Sequence, residues 1–130
     1  MIALLLALAA VGPDTCDGSQ HELNDCAAKF YREADRALNE QCSKTLAAHP
    51  RHDKELKKCP PYLGASTDSL LKAQRAWLVY REQNCETVRR TAGGTIAPFL
   101  YFVCLFKITR ARTGELRTLA MNPVRYDEPL

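Results

Sequence analysis

Apolar residues recur at helical spacing in three separate stretches of this chain. In the first, Leu23, Ala27, Phe30, Ala34, Leu38 and Leu46 fall on one stripe, with Cys26, Tyr31 and Cys42 flanking it. Ser19-Gln-His-Glu22 has the capping-box spacing at its start, and Pro50 stops it. The pattern predicts one long helix over about 20–48. In the second stretch Gln74, Trp77, Arg81, Cys85 and Val88 share a face, so two strong hydrogen-bonding groups sit on a stripe that also carries the single Trp. Ser66, Thr67 and Asp68 are good N-caps, and Gly93-Gly94 accepts the left-handed conformation that ends a helix, which predicts a helix over about 68–91.

The third stretch starts with Pro98, suited to a first helical turn. Phe99 to Phe106 is apolar all round but too short to span a membrane, so it is expected to lie against the other two helices. Beyond Lys107 it becomes amphipathic, with Ile108, Leu116 and Leu119 among Arg110, Arg112, Glu115 and Arg117. Gly114 is a point where this helix, about 97–120, is expected to fray or kink. Residues 49–66 read as irregular, with room for a turn or two of helix between Asp53 and Lys58; the tail 122–130, with Pro123 and Pro129, reads as loose. No repeat and no strand alternation occurs. The expected fold is all-α: a small bundle of three main antiparallel helices.

A core of this size is thin, and covalent staples would help it. The sequence has 130 residues, enough for one domain, and six cysteines: Cys16, Cys26, Cys42, Cys59, Cys85 and Cys104. Residues 1–13 carry no charged side chain and match the apolar region of a secretory signal peptide, with small residues for cleavage near Ala10. The domain is then 14–121. An even cysteine count behind such a segment reads as a disulfide framework in a periplasmic or secreted protein. Cys16 follows Pro-Asp-Thr, not a lipid-attachment sequence. No C-x-x-C pair exists, which speaks against zinc, and no cofactor motif is present.

Facing residues in an antiparallel hairpin lie symmetrically about the turn. The midpoint of Cys85 and Cys104 falls between Gly94 and Thr95, and that of Cys42 and Cys59 between Pro50 and Arg51. Cys16 and Cys26 then remain for each other. The rival joins Cys16 or Cys26 to Cys85 or Cys104, since those four share one end of the bundle.

Net charge is +3, with Lys and Arg scattered among acids and no basic stripe interleaved with aromatics, so nucleic-acid binding is not expected. After signal cleavage no stable membrane insertion is expected either. No Ser-His-Asp or Cys-His constellation is visible, which argues against an enzyme. His49-Pro-Arg-His52 is at most an adventitious metal ligand set. Asp35 and Asn39 sit one turn apart on the first helix, opposite Gln74 and Arg81 on the second. Antiparallel packing brings Asp35 near Arg81 and Asn39 near Gln74, a structural network that fixes register or, less favoured, a pocket for an anion. Gly93-Gly94-Thr95 is a helix-hairpin turn that a partner's cleft could also admit.

Read together, Cys16, Glu22-Leu-Asn-Asp-Cys26, Ala34-Asp-Arg-Ala-Leu-Asn39, Ala73-Gln-Arg-Ala-Trp77, Tyr80-Arg81, Cys85, Gly93-Gly94-Thr95, Cys104 and Thr109-Arg-Ala-Arg112 resemble the LprI-type lysozyme-inhibitor domain. The resemblance runs through nearly the whole chain after the apolar start. Four cysteines are usual in that family; Cys42 and Cys59 are additions, which favours their pairing with each other. It implies a small helical domain of the bacterial envelope that binds and blocks a lysozyme-type glycoside hydrolase. The alternatives are an envelope scaffolding module or a small-ligand carrier without inhibitory activity.

Overall fold

Three helices and one short turn make up the computed structural model, which describes residues 11–48, 59 and 69–121. A 3₁₀ turn at Pro13–Thr15 precedes α1 (Gln20–Ala48), α2 (Ser69–Ala92) and α3 (Ala97–Met121). No strand occurs among the described residues. The leader 1–10, the connection 49–58 and 60–68 with its proposed caps Ser66, Thr67 and Asp68, His49 and His52, and the tail 122–130 lie outside them.

The helix boundaries follow local chemistry. Ser19 Oγ accepts from the Glu22 N–H at 3.2 Å, satisfying one of the free donors at the start of α1. At the end of α2, Gly93 takes φ 62° and donates its N–H to the Arg89 carbonyl at 3.1 Å, the left-handed cap that a Cβ would disfavour. Gly94 follows at φ 67°, and the chain reverses into α3 within four residues. α3 does not fray at Gly114 and runs unbroken to Met121; the neighbouring turns outweigh a single glycine.

Successive helices are antiparallel, which leaves α1 and α3 parallel. α3 packs closely on both of the others, while α1 and α2 approach each other mainly through long side chains. The interior has layers. Leu38, Cys42, Leu46, Leu71 and Leu116 form an apolar cluster at the end where α1 and α3 finish, with Trp77, Leu70, Leu119 and Cys59 against it. Each fully buried leucine there contributes roughly 1.5–3 kcal/mol. Towards the other end Phe30 meets Phe106 edge-on, and Tyr31 packs against Phe102. Gly12 lies against the Phe106 ring, so the 3₁₀ turn belongs to the packed unit.

Three cysteine pairs stand at disulfide distance: Cys16 with Cys26, Cys42 with Cys59, and Cys85 with Cys104, with Cα atoms 6.0, 5.9 and 5.5 Å apart. No free cysteine remains. No helix among the described residues is long and apolar enough to cross a membrane.

Candidate functional site

Two places in the bundle concentrate polar chemistry: a buried layer around Arg81 and the exposed tip where α2 turns into α3. They differ in what their groups are free to do.

In the buried layer, α2 projects Arg81 into the space between all three helices. Arg81 Nη1 donates to Asp35 Oδ1 on α1 at 2.7 Å and to Thr109 Oγ1 on α3 at 3.2 Å. The guanidinium lies over the Trp77 ring at 5.0 Å and the Tyr31 ring at 5.4 Å. A planar, weakly hydrated cation between aromatic faces gains cation–π attraction that offsets part of its desolvation. Its Nε is buried with no hydrogen-bond partner among the described residues. Burial pushes the Tyr31 hydroxyl above its usual range, a shift opposed by the Arg81 charge.

About two turns towards the start of α2, Gln74 is also buried. Its Oε1 accepts from Arg112 Nε of α3 at 3.0 Å, and Arg112 Nη1 reaches Glu115 at 2.9 Å. The hydrogen-bond partner that the structure gives Gln74 is thus Arg112 of α3, which the sequence reading does not pair with it. Asn39 on α1 is half-buried. Thr45 and Thr113, which sequence reasoning passed over, and Thr109, which it quoted only within a motif, are buried polar residues. Thr45 Oγ1 donates to the Leu116 carbonyl at 2.8 Å, and Thr113 Oγ1 to the Thr109 carbonyl at 3.1 Å. Their spacing along α3, Thr109, Thr113 and Leu116, is a helical stripe that could have been read.

Two surface grooves flank this layer. One, of about 550 Å³, runs between α2 and α3 and is lined by Tyr80, Asn84, Val88, Leu100, Val103 and Lys107 among others. The second, of about 440 Å³, includes Phe30, Glu33, Phe106 and Arg110. Neither is lined by Asp35, Asn39, Gln74 or Arg81, so Arg81 does not face these openings.

At the tip every residue from Thr91 to Ile96 is exposed. A Cβ at Gly93 or Gly94 would meet nothing within 4 Å. Val88, placed by periodicity on the buried face, is 37% exposed and lines the open groove between α2 and α3. The tip is braced from below by Cys85 and Cys104, and Asn84 Nδ2 donates to Cys104 Sγ at 3.6 Å. Glu86 binds two arginines at once: Arg89 through Nε at 2.8 Å and Nη2 at 2.6 Å, and Arg90 through Nε at 2.9 Å. These bonds, Arg89's first, hold the Glu86 carboxyl down to about 2. Beside it Tyr101 donates to Glu82 at 2.9 Å; burial, then that bond, push its hydroxyl up to about 12. Among the described residues no cluster of three or more His, Cys, Asp or Glu could hold a metal ion.

Comparison with known proteins places this geometry in context. A family model described as "Lysozyme inhibitor LprI" matches residues 13–116. An uncharacterized protein of Rhizobium meliloti (strain 1021) is 42% identical over 102 residues, covering 78% of this chain and 73% of that protein. No solved structure matches significantly.

Proposed function

The chain belongs to the LprI lysozyme-inhibitor family, and on that premise we propose that it is a non-enzymatic binding protein that blocks a lysozyme-type muramidase. A lysozyme partner follows from the family in general terms; inhibition by this chain is the reading advanced here. The observation that carries it is the α2–α3 tip. Residues 91–96 are exposed together, two glycines in succession leave the backbone bare, and a cysteine pair braces the hairpin beneath. A narrow, stiffened projection enters a cleft at little entropic cost, because it is ordered before it binds. Muramidases hold their catalytic carboxylates in an open cleft, which such a projection can occupy.

The buried polar layer plays a different part in this reading. Arg81 is held by Asp35 and Thr109 between two rings, which supports a structural role that sets how the three helices align. The carrier alternative finds less support, since the two described grooves are open and shallow and leave the polar network out. The apolar start of the chain acts as a secretory leader in this proposal, with cleavage near Ala10 retaining the 3₁₀ turn at Pro13–Thr15. Three cysteine pairs suit the oxidising periplasm or exterior.

The test is a cell-wall lysis assay with chicken-type, goose-type and invertebrate-type lysozymes titrated with oxidised protein. Slowed lysis with at least one type is the expected result. Unchanged lysis with all three at micromolar excess removes the inhibitor reading and leaves the scaffolding alternative.

A further inference from the structure

One exposed side of α2 carries no charge over four turns. Ala73, Ala76, Tyr80, Gln83, Asn84 and Thr87 recur three and four apart, share a face and are all exposed. This stands out in a chain that is 25% charged, because the solvent side of a helix is where charge collects. The charges of this part of α2 are placed elsewhere. Arg81 points inward to Asp35, while Glu82 bonds Tyr101 and Glu86 bonds Arg89 and Arg90; none of these lines the α2–α3 groove. That groove, of about 550 Å³, extends the same side onto α3, where Leu100 and Val103 meet Tyr80 and Val88, and Lys107 is the one charged residue lining it. Ala111 and Gly114, four and seven residues beyond Lys107, continue the side with small residues. Arg110 turns to the other groove, over the Phe106 ring. Tyr80 is 57% exposed although its ring is large and apolar.

We propose that this side of the α2–α3 hairpin is a self-association surface, on which a second copy of the chain docks about a two-fold axis. In such a contact the same patch appears on both partners, so it must complement itself. A patch of one charge repels its copy, whereas a neutral one does not. Gln83, Asn84 and Thr87 add a second qualification. Amide and hydroxyl groups both donate and accept, so each can bond the same group type on the opposing copy. The small Ala73, Ala76, Ala111 and Gly114 let the two hairpins approach closely, and the groove offers a seat for a large side chain such as the partner copy's Tyr80.

The size of the patch sets the strength. From Ala73 to Val88 α2 rises about 22 Å, and two helices side by side are about 20 Å across. Side-chain relief enlarges that area, yet it stays at or below the roughly 800 Å² per partner of a standard interface. The expected dimer is therefore reversible and micromolar. The salt response follows from the charges. Each copy carries +3 and the contact itself holds only Lys107, so added salt screens repulsion and leaves association unchanged or slightly tighter. This surface is independent of the inhibitor reading, since Gly93 and Gly94 lie beyond it at the tip.

The experiment is sedimentation equilibrium of the oxidised chain from about 1 μM to about 0.5 mM, at about 0.05 M and about 0.5 M salt. The wild type should pass from monomer to dimer mass, with no loosening at the higher salt. Ala76→Arg/Thr87→Arg puts like charges into the contact and should weaken association about tenfold or more. Ser43→Arg/Ala47→Arg adds the same two charges at exposed positions of α1 and should dimerise as wild type. Ala76→Gln/Thr87→Gln, neutral and longer, separates charge from bulk and should keep more of the association than the arginine pair. Melting curves confirm that each variant is folded. A wild type that stays monomeric throughout overturns the proposal, and so does an arginine pair that dimerises like wild type. Two results would also name the true occupant. A monomer whose arginine pair loses binding to a lysozyme would give the surface to that partner, and a monomer whose arginine pair melts well below wild type would give it to another segment of the same chain.

Discussion

Arg81 on α2 and Asp35 on α1 form a 2.7 Å charge-assisted hydrogen bond across the centre of the bundle, with the arginine side chain 10% and the aspartate 32% exposed. The asymmetry decides the outcome of cutting it. Removing the arginine leaves a carboxylate that still reaches some water, whereas removing the carboxylate leaves a cation buried between rings. Arg81→Ala should cost about 2–3 kcal/mol, below the usual figure for a fully buried pair because Asp35 is partly solvated. Arg81→Lys should recover only part, since an ammonium cannot bond Asp35 and Thr109 while stacking on Trp77. Thermal unfolding measures both. Wild-type melting in both variants, together with lost inhibition, would show that Arg81 serves a binding surface instead.

Breaking the brace under the tip should separate stability from inhibition. Cys85 and Cys104 lie 19 residues apart in sequence. In the chain-entropy model a bridge closing such a loop contributes about 3 kcal/mol. Cys85→Ser/Cys104→Ser should melt well below wild type. Inhibition, measured at a temperature where the variant is still folded, should drop as the tip loses its fixed conformation. Undiminished inhibition by a folded variant would show that the tip needs no brace.

Gly114 offers the opposite change. It sits inside the unbroken α3, and a Cβ there meets nothing within 4 Å. Gly114→Ala should raise stability by about 0.5–1 kcal/mol, because alanine loses less backbone freedom on entering a helix. A lower melting temperature would mean that the position is not an ordinary helical site.

The Glu86 clamp predicts a specific acid response. Its folded carboxyl titrates near 2, below the usual carboxylate range, because Arg89 and then Arg90 bond the charged form. Unfolded, the same group takes up a proton nearer pH 4. Its contribution to stability is therefore complete above the unfolded value and fades as pH falls from there towards 2. NMR titration of the side-chain carboxyl carbon should give a midpoint near 2, and Glu86→Gln should flatten that part of the acid limb. A midpoint in the ordinary carboxylate range would show that the two arginines do not hold it.

The extent of each helix was legible in the sequence because its causes are local: a capping box at Ser19, paired glycines at Gly93 and Gly94, and apolar stripes that fix which face turns inward. Hairpin symmetry, also local, pointed to the cysteines that the structure brings together. The Asp35–Arg81 contact could be foreseen because antiparallel order sets the height at which α1 and α2 residues meet. What depended on α3 could not. Arg112 bonds Gln74, because α3 packs on α2 as well as on α1 and brings a long donor to it. Thr45, Thr109 and Thr113 are buried because each finds a partner inside the bundle, which a polar residue viewed alone does not announce. Val88 keeps the helical phase of Trp77 and Arg81 yet is 37% exposed at the open α2–α3 groove, since burial requires full cover as well as a phase. Periodicity is a property of one helix and is written in its residues. Which side chain completes another's hydrogen bonds is set only when three helices share a common space.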